Sequence, residues 1–133
     1  MVVCFISGHV DVDADFFKKH YVDRIAEAIT LGHDFVVGDS VGIDALSIEY
    51  VQHNGGNIRV VSIKDFRSFN ARDKYLTEIS DYDIAYVRSE YEQKQLYGEK
   101  YIKRESATER NLKRRQKKIY KPNFLFNSVS TPT

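Results

Sequence analysis

The chain has 133 residues, enough for one domain that buries roughly two-thirds of its unfolded surface and too few for two. Its formal net charge of +1 sets no overall demand for a nucleic acid or an acidic membrane as partner, and Cys4, the only cysteine, excludes an internal disulfide framework. No apolar run approaches the roughly 20 residues of a membrane span, and the start of the chain lacks the charged region of a secretory signal, so a soluble, cytoplasmic protein without a membrane partner is expected.

Residues 2–6 form an apolar run that predicts a buried strand, ended by the turn Ser7-Gly8-His9. Phe17, Tyr21, Ile25, Ala28 and Ile29 then recur at helical spacing and predict a helix over about residues 15–31, closed by Gly32. Residues 35–37 predict a second strand. Ile43, Leu46, Tyr50 and Val51 mark one face of a second helix, which Asn54-Gly55-Gly56-Asn57 terminates. A third strand is expected over 58–63, a short helix over 70–79 and a fourth strand over 84–87. Between 88 and 105 no apolar period persists, which predicts a long loop or lid. The last helix is expected over 106–119, opened by the capping-box spacing Ser106-Ala107-Thr108-Glu109 and stopped by Pro122, with a flexible tail over 127–133. Strand and helix alternate, which predicts an α/β fold: a Rossmann-like three-layer α/β/α domain over residues 1–126 with a mainly parallel sheet.

In such sheets ligands bind at the carboxyl ends of the strands. The most informative stretch sits there. His33 to Asp44 reads as an apolar strand that runs through Gly38-Asp39-Ser40-Val41-Gly42 into a helix. Gly38 and Gly42 remove side chains where the turn is tightest, which would leave backbone N–H groups to face a phosphate or another anion. Asp39 and Asp44 can accept hydrogen bonds from ribose hydroxyls or base amines. Ser40 reads as a helix cap or phosphate ligand. The same residues match G-x-S-x-G, yet the only later histidine, His53, falls at the far end of the same helix, so a Ser40 nucleophile lacks its base.

Neither G-x-x-x-x-G-K-[ST] nor G-x-G-x-x-G occurs. Asp11, Asp13 and Asp15 imitate a calcium loop, but Phe16 and Val22 stand where its glycine and bidentate acid belong, so these aspartates read as caps of the first helix. His9, His20, His33 and His53 lack metal-ligand spacing; neither a metal nor a cofactor is expected. His9 is open to two readings, a base- or phosphate-contacting imidazole and a surface turn histidine. Arg72 and Asp73 read either as a functional pair at charge or as a helix-surface pair. The basic run Lys113, Arg114, Arg115, Lys117 and Lys118 reads as a solvated face, with a nucleic-acid backbone as the less favoured alternative.

The order of S-G-H, G-D-S-V-G-I-D, N-A-R-D and S-A-T-E-R-N over residues 2–118 resembles the SLOG superfamily, a Rossmann-like group of nucleotide-related domains that includes LOG-type phosphoribohydrolases, DprA- and YpsA-like domains and, more distantly, nucleoside deoxyribosyltransferases. The resemblance implies a nucleotide or nucleoside ligand. It makes Gly38, Asp39, Gly42 and Asp44 the second-strand motif, Arg72 an arginine near phosphate and ribose, and Ser106 and Thr108 phosphate ligands. It departs at two points: Ala107 replaces a glycine, and Asn111 stands where LOG enzymes carry a catalytic glutamate, with Glu109 two positions early.

Two functions of different class follow as expectations. The first is binding of a nucleotide or nucleoside by Ser7, Gly8, His9, Gly38, Asp39, Ser40, Gly42, Asp44, Arg72, Ser106, Thr108 and Asn111. The second is N-glycosidic cleavage or deoxyribosyl transfer, in which Asp39, Asp44 or Glu109 supplies the acid and Arg72 assists. A homo-oligomer is expected by analogy alone.

Overall fold

The structure, a computed structural model, describes residues 1–120; Pro122, the expected domain end at 126 and the expected tail over 127–133 lie outside the described residues. Four strands, β1 (Val3–Ile6), β2 (Asp34–Gly38), β3 (Ile58–Val61) and β4 (Tyr82–Ile84), lie in the order β3-β2-β1-β4, every pair parallel. Parallel neighbours require a crossover, and each connection supplies helix. Between β1 and β2 run α1 (Ala14–Phe17), a π-helical segment (Lys18–Val22) and α2 (Asp23–Thr30); α3 (Ile43–His53) joins β2 to β3, and α4 (Phe69–Glu78) joins β3 to β4. After β4 come α5 (Glu90–Tyr97) and α6 (Ala107–Tyr120).

Side chains alternate across the strands, and both faces are covered. Cys4, Ile6, Phe35 and Val37 pack with Phe17, Tyr21, Ile25, Ala28, Ile43 and Val51, while Phe5 and Val36 pack on the opposite face with Val61 and Leu76. The sheet is therefore the middle of three layers, the α/β class that the alternation of the sequence predicts. α6 lies beside α4 and against β4.

Several boundaries differ from the sequence reading. β4 ends at Ile84, where residues 84–87 were the expected strand. The cause is competition for backbone donors: the Tyr86 N–H donates to the Tyr21 hydroxyl at 2.9 Å and the Arg88 N–H to His9 Nε2 at 3.1 Å, so the ladder cannot continue. β3 stops at Val61 because Ser62 caps a 3₁₀ turn over Ile63–Asp65, its Oγ accepting the Lys64 N–H at 3.1 Å. The expected loop over 88–105 contains α5, opened by a complete capping box between Ser89 and Glu92. No residue of α5 is buried, which is why apolar periodicity did not reveal it.

Two capping expectations hold. Asp13 Oδ1 accepts the Phe16 N–H at 2.9 Å, and Gly32, at φ +78°, lets the His33 and Gly32 amides close the carbonyls of Ala28 and Ile29. Asp11 instead pairs with Arg88 at 2.9 Å.

The chain runs β1, β2, β3 in one direction and returns to place β4 on the far side of β1, so the connections diverge between β1 and β4. Tyr21, fully buried in the π-helical segment, fills that point. Its hydroxyl donates to the Ser7 carbonyl at 2.8 Å and accepts from Tyr86 at 2.9 Å. The crevice at the switch point is closed by a side chain, and the site lies to one side of it.

Candidate active site

Beside this plug a cavity of about 310 Å³ opens at the carboxyl edge, on the face that α4 and α6 cover. Ser7, Gly8 and Val10 from the end of β1 form one wall, Gly38, Ser40 and Asp44 from β2 and α3 another. Phe69, Arg72 and Asp73 enter from α4, and Ala107, Thr108, Arg110 and Asn111 from α6. The connections after β1 and β2 thus share one rim with two helix starts. The connection after β4 does not: no residue from 88–105 lines the cavity, and Arg88 is tied to Asp11 and His9 instead. The expected lid is anchored elsewhere, over a more open hollow of about 440 Å³ that none of the predicted site residues lines.

Arg72 organises the interior. Its side chain is 5% exposed; Nη1 donates to Asp39 Oδ1 at 2.7 Å, and Nε and Nη2 reach Asp73 Oδ1 at 3.3 and 3.2 Å. Asp73 Oδ2 accepts from Asn111 Nδ2 at 3.1 Å, and Asn111 Oδ1 accepts from Arg114 Nη1 at 2.5 Å. Arg114 also donates to Asn70 Oδ1. One continuous polar chain therefore joins β2, α4 and α6. Gly38 is part of it: a Cβ there would stand 2.4 Å from Arg72 Cζ, so the absent side chain is the space the guanidinium occupies. Between the two readings of Arg72 and Asp73, the surface pair is overturned, because both are buried.

Asp44 lies in the same cavity, 7% exposed. Burial pushes its carboxyl up to about 7, against the lowering effects of the Ser40 N–H and Arg72, and Asp73 and Asp39 add to the rise. Ser7 Oγ, also buried and lining the cavity, has no hydrogen-bond partner among the described residues.

Two amides of the glycine turn are satisfied within the protein. The Ser40 N–H donates to Asp44 Oδ2 at 3.1 Å and the Ile43 N–H to the His9 carbonyl at 3.1 Å. Gly42, at φ +78°, is pressed against the His9 carbonyl and Val10, and a Cβ at Gly8 would meet Ile43 and the Tyr21 hydroxyl at 2.5 Å. These glycines serve close packing of the turns. Ser40 neither caps α3, whose N-cap is Gly42, nor offers its amide outward.

The predicted residues separate accordingly. Ser7, Gly8, Gly38, Ser40, Asp44, Arg72, Thr108 and Asn111 line one cavity, and Asp39 joins them through Arg72. His9 does not line it; the ring is buried, accepts from the Arg88 amide and stands edge-on to Phe16, which overturns the surface-turn reading. Gly42 packs behind the turn. Ser106 Oγ accepts the Glu109 N–H at 3.1 Å, the one half of the expected capping box that forms, and neither residue lines the cavity. Phe69 and Arg110 are lining residues that the sequence reading missed. Phe69 directly precedes the N-A-R-D motif, and its ring lies 5.3 Å from Arg72 Cζ.

The basic run is a solvated face only in part: Lys113, Lys117 and Lys118 are exposed, whereas Arg114 and Arg115 turn inward. Arg115 is buried, pairs with Asp83 at 2.9 Å and donates to Ser80 Oγ at 2.5 Å. Lys118 Nζ donates to the carbonyls of Thr77, Glu78 and Ser80 at the end of α4, and Lys113 pairs with Glu105 at 2.5 Å. Most of this charge is used to dock α6.

Among the described residues no three histidine, cysteine, aspartate or glutamate side chains are grouped to hold a metal ion, and no helix is long and apolar enough to cross a membrane. Comparison with protein-family models, with curated proteins and with solved structures finds no match to this chain.

Proposed function

We propose that this domain binds a nucleotide or nucleoside derivative in the cavity between Gly8, Gly38, Asp44, Arg72 and Thr108. The observation that carries the reading is that one cavity is lined by a buried serine hydroxyl with no partner among the described residues, a buried carboxyl and the aromatic ring of Phe69. Buried polar groups are nearly always satisfied, so such a hydroxyl is a group that a ligand would complete. A volume of about 310 Å³ matches the lower end of small-molecule sites, roughly 300–1,000 Å³. Carboxylates suit sugar hydroxyls and base amines, and an aromatic face suits a base. The resemblance of the same turns to the SLOG superfamily points to the same ligand class.

Binding to the native state raises its melting temperature, by the equivalent of about 2.7 kcal/mol when the ligand is at 100 times its dissociation constant. A panel of nucleosides and of mono- and dinucleotides tests this: at least one member raises the melting temperature by several degrees in wild type and not in Arg72→Ala. A panel without a single shift would reject the reading.

A second reading, N-glycosidic cleavage, is favoured by Asp44, whose carboxyl is pushed by burial up to about 7, into the range of a general acid. In that reaction the C1′–N bond breaks, the Asp44 proton goes to the leaving base, and water adds to C1′ and returns a proton to the Asp44 carboxylate. Chromatography of nucleosides and nucleoside monophosphates incubated with the protein would detect free base, lost in Asp44→Asn. No release from either series would reject this second reading.

A further inference from the structure

We infer that the cavity selects an uncharged nucleoside over its phosphorylated counterpart, because the protein's own carboxyl groups already occupy the positions where a phosphate would be held. This rests on the proposed nucleotide or nucleoside site and narrows it. A phosphate site at the edge of a parallel sheet needs open backbone amides at a glycine turn and a cation with unspent charge. Here Asp44 and the His9 carbonyl hold two amides of the turn, and two carboxylates hold the buried cation Arg72.

The amides go first. Of the turn between β2 and α3, the Ser40 N–H is held by Asp44 Oδ2 at 3.1 Å and the Ile43 N–H by the His9 carbonyl at 3.1 Å. Asp44 lies in the first turn of α3, the place at which a helix favours an anion, and its carboxyl takes that place. Gly38 makes no pocket for an oxygen, since the Arg72 guanidinium lies where its Cβ would be.

The charge goes next. Arg72 contacts Asp39 at 2.7 Å and Asp73 at 3.2 Å, two carboxylates on one guanidinium. Asp44 and Asp73 line the cavity, and Asp39 acts on it through Arg72. The other cation among the lining residues is Arg110, which keeps its charge, since its partner is the neutral Glu105 carbonyl at 3.3 Å, but is exposed, where solvent screens it. At the start of α6, Ser106 Oγ takes the Glu109 amide at 3.1 Å. With Arg72 shared by Asp39 and Asp73 and with Asp44 beside it, the interior accepts hydrogen bonds and offers a dianion no unpaired buried cation among the described residues. A ribose and an exocyclic amine supply donors to it without charge.

The test is calorimetric titration of the wild-type chain at pH 7.5 with adenosine, guanosine, cytidine, uridine and thymidine, and with the 5′-monophosphate of each. The expected result is that the best nucleoside binds at least tenfold more tightly than its monophosphate. Asp39→Asn, which removes one of the two carboxylates on Arg72 at a partly exposed position, narrows that ratio at least threefold. If the monophosphates bind as tightly as the nucleosides or more so, the inference fails while the proposed site stands. If neither series binds, both fail. If Asp39→Asn folds and leaves the ratio unchanged, the carboxylates are not its cause; if that variant does not fold, the wild-type ratio alone decides.

Discussion

Replacing Gly38 by alanine probes the contact that ties β2 to α4. A Cβ at this position would lie 2.4 Å from Arg72 Cζ and 2.6 Å from Nη2, so the guanidinium must withdraw by about 1 Å to reach an ordinary contact. That movement stretches the 2.7 Å bond to Asp39 past hydrogen-bonding range. A hydrogen bond to a charged group contributes about 1.5–3 kcal/mol. Gly38 is not at positive φ, so alanine also restricts the unfolded chain and returns about 0.4–1 kcal/mol. The net expectation is a loss of about 1–2 kcal/mol in wild type. With Arg72→Ala as background the obstruction is gone, and the same substitution becomes neutral or stabilising by up to about 1 kcal/mol. Urea denaturation of wild type, both single variants and the double variant measures this, with constant m-values as the control for a shared unfolding transition. An equal effect of Gly38→Ala in the two backgrounds would refute the packing of the guanidinium on this glycine.

Other consequences are equally open to measurement. The Asp44 carboxyl is raised to about 7 in the fold from an ordinary value of 3.8, so the native state holds a proton between those values that the unfolded chain has released. Stability therefore falls as pH rises from about 4 to about 7, by on the order of 4 kcal/mol, and Asp44→Asn flattens that slope; an unchanged slope in urea midpoints across pH would remove Asp44 as its source. Arg115→Ala leaves the Asp83 carboxylate buried and unpaired, with an expected loss of about 3–5 kcal/mol, whereas Lys113→Ala at the exposed Glu105 pair leaves the midpoint in place. Tyr21→Phe strips a partner from both the Ser7 carbonyl and the Tyr86 amide, for an expected loss of about 1–3 kcal/mol; a loss under about 0.5 kcal/mol would show that the hydroxyl does not tie β1 to β4.

The layers of the fold were legible because they rest on pattern: unbroken apolar runs in β1 and β2, helical spacing from Phe17 to Ile29, and glycine stops at Gly32 and Gly55. α5 was missed because it has no buried stripe, although its Ser89-Glu92 capping box stood in the sequence. Residues 85–87 look like strand, and only the long-range acceptors Tyr21 and His9 take them out of the sheet. The site was legible to the level of which turns meet. Gly8, Gly38, Asp44, Arg72 and Thr108 do share a cavity, yet the destination of each amide proton could not be read from a motif. A glycine turn looks the same in sequence whether its N–H groups face outward or are satisfied by Asp44 and the His9 carbonyl. The same holds for the basic run, where Arg115 differs from its neighbours only in the buried Asp83 that helix phase brings to it.

The most direct test of the site is a crystal structure of the chain grown with the nucleoside that raises its melting temperature most. The expected result is ligand density in the cavity, with a donor of the ligand within about 3.2 Å of the Asp44 carboxyl, a hydrogen bond to Ser7 Oγ, and Phe69 alongside the base. Density on another surface, or in the cavity without contact to Asp44 or Ser7, would contradict it.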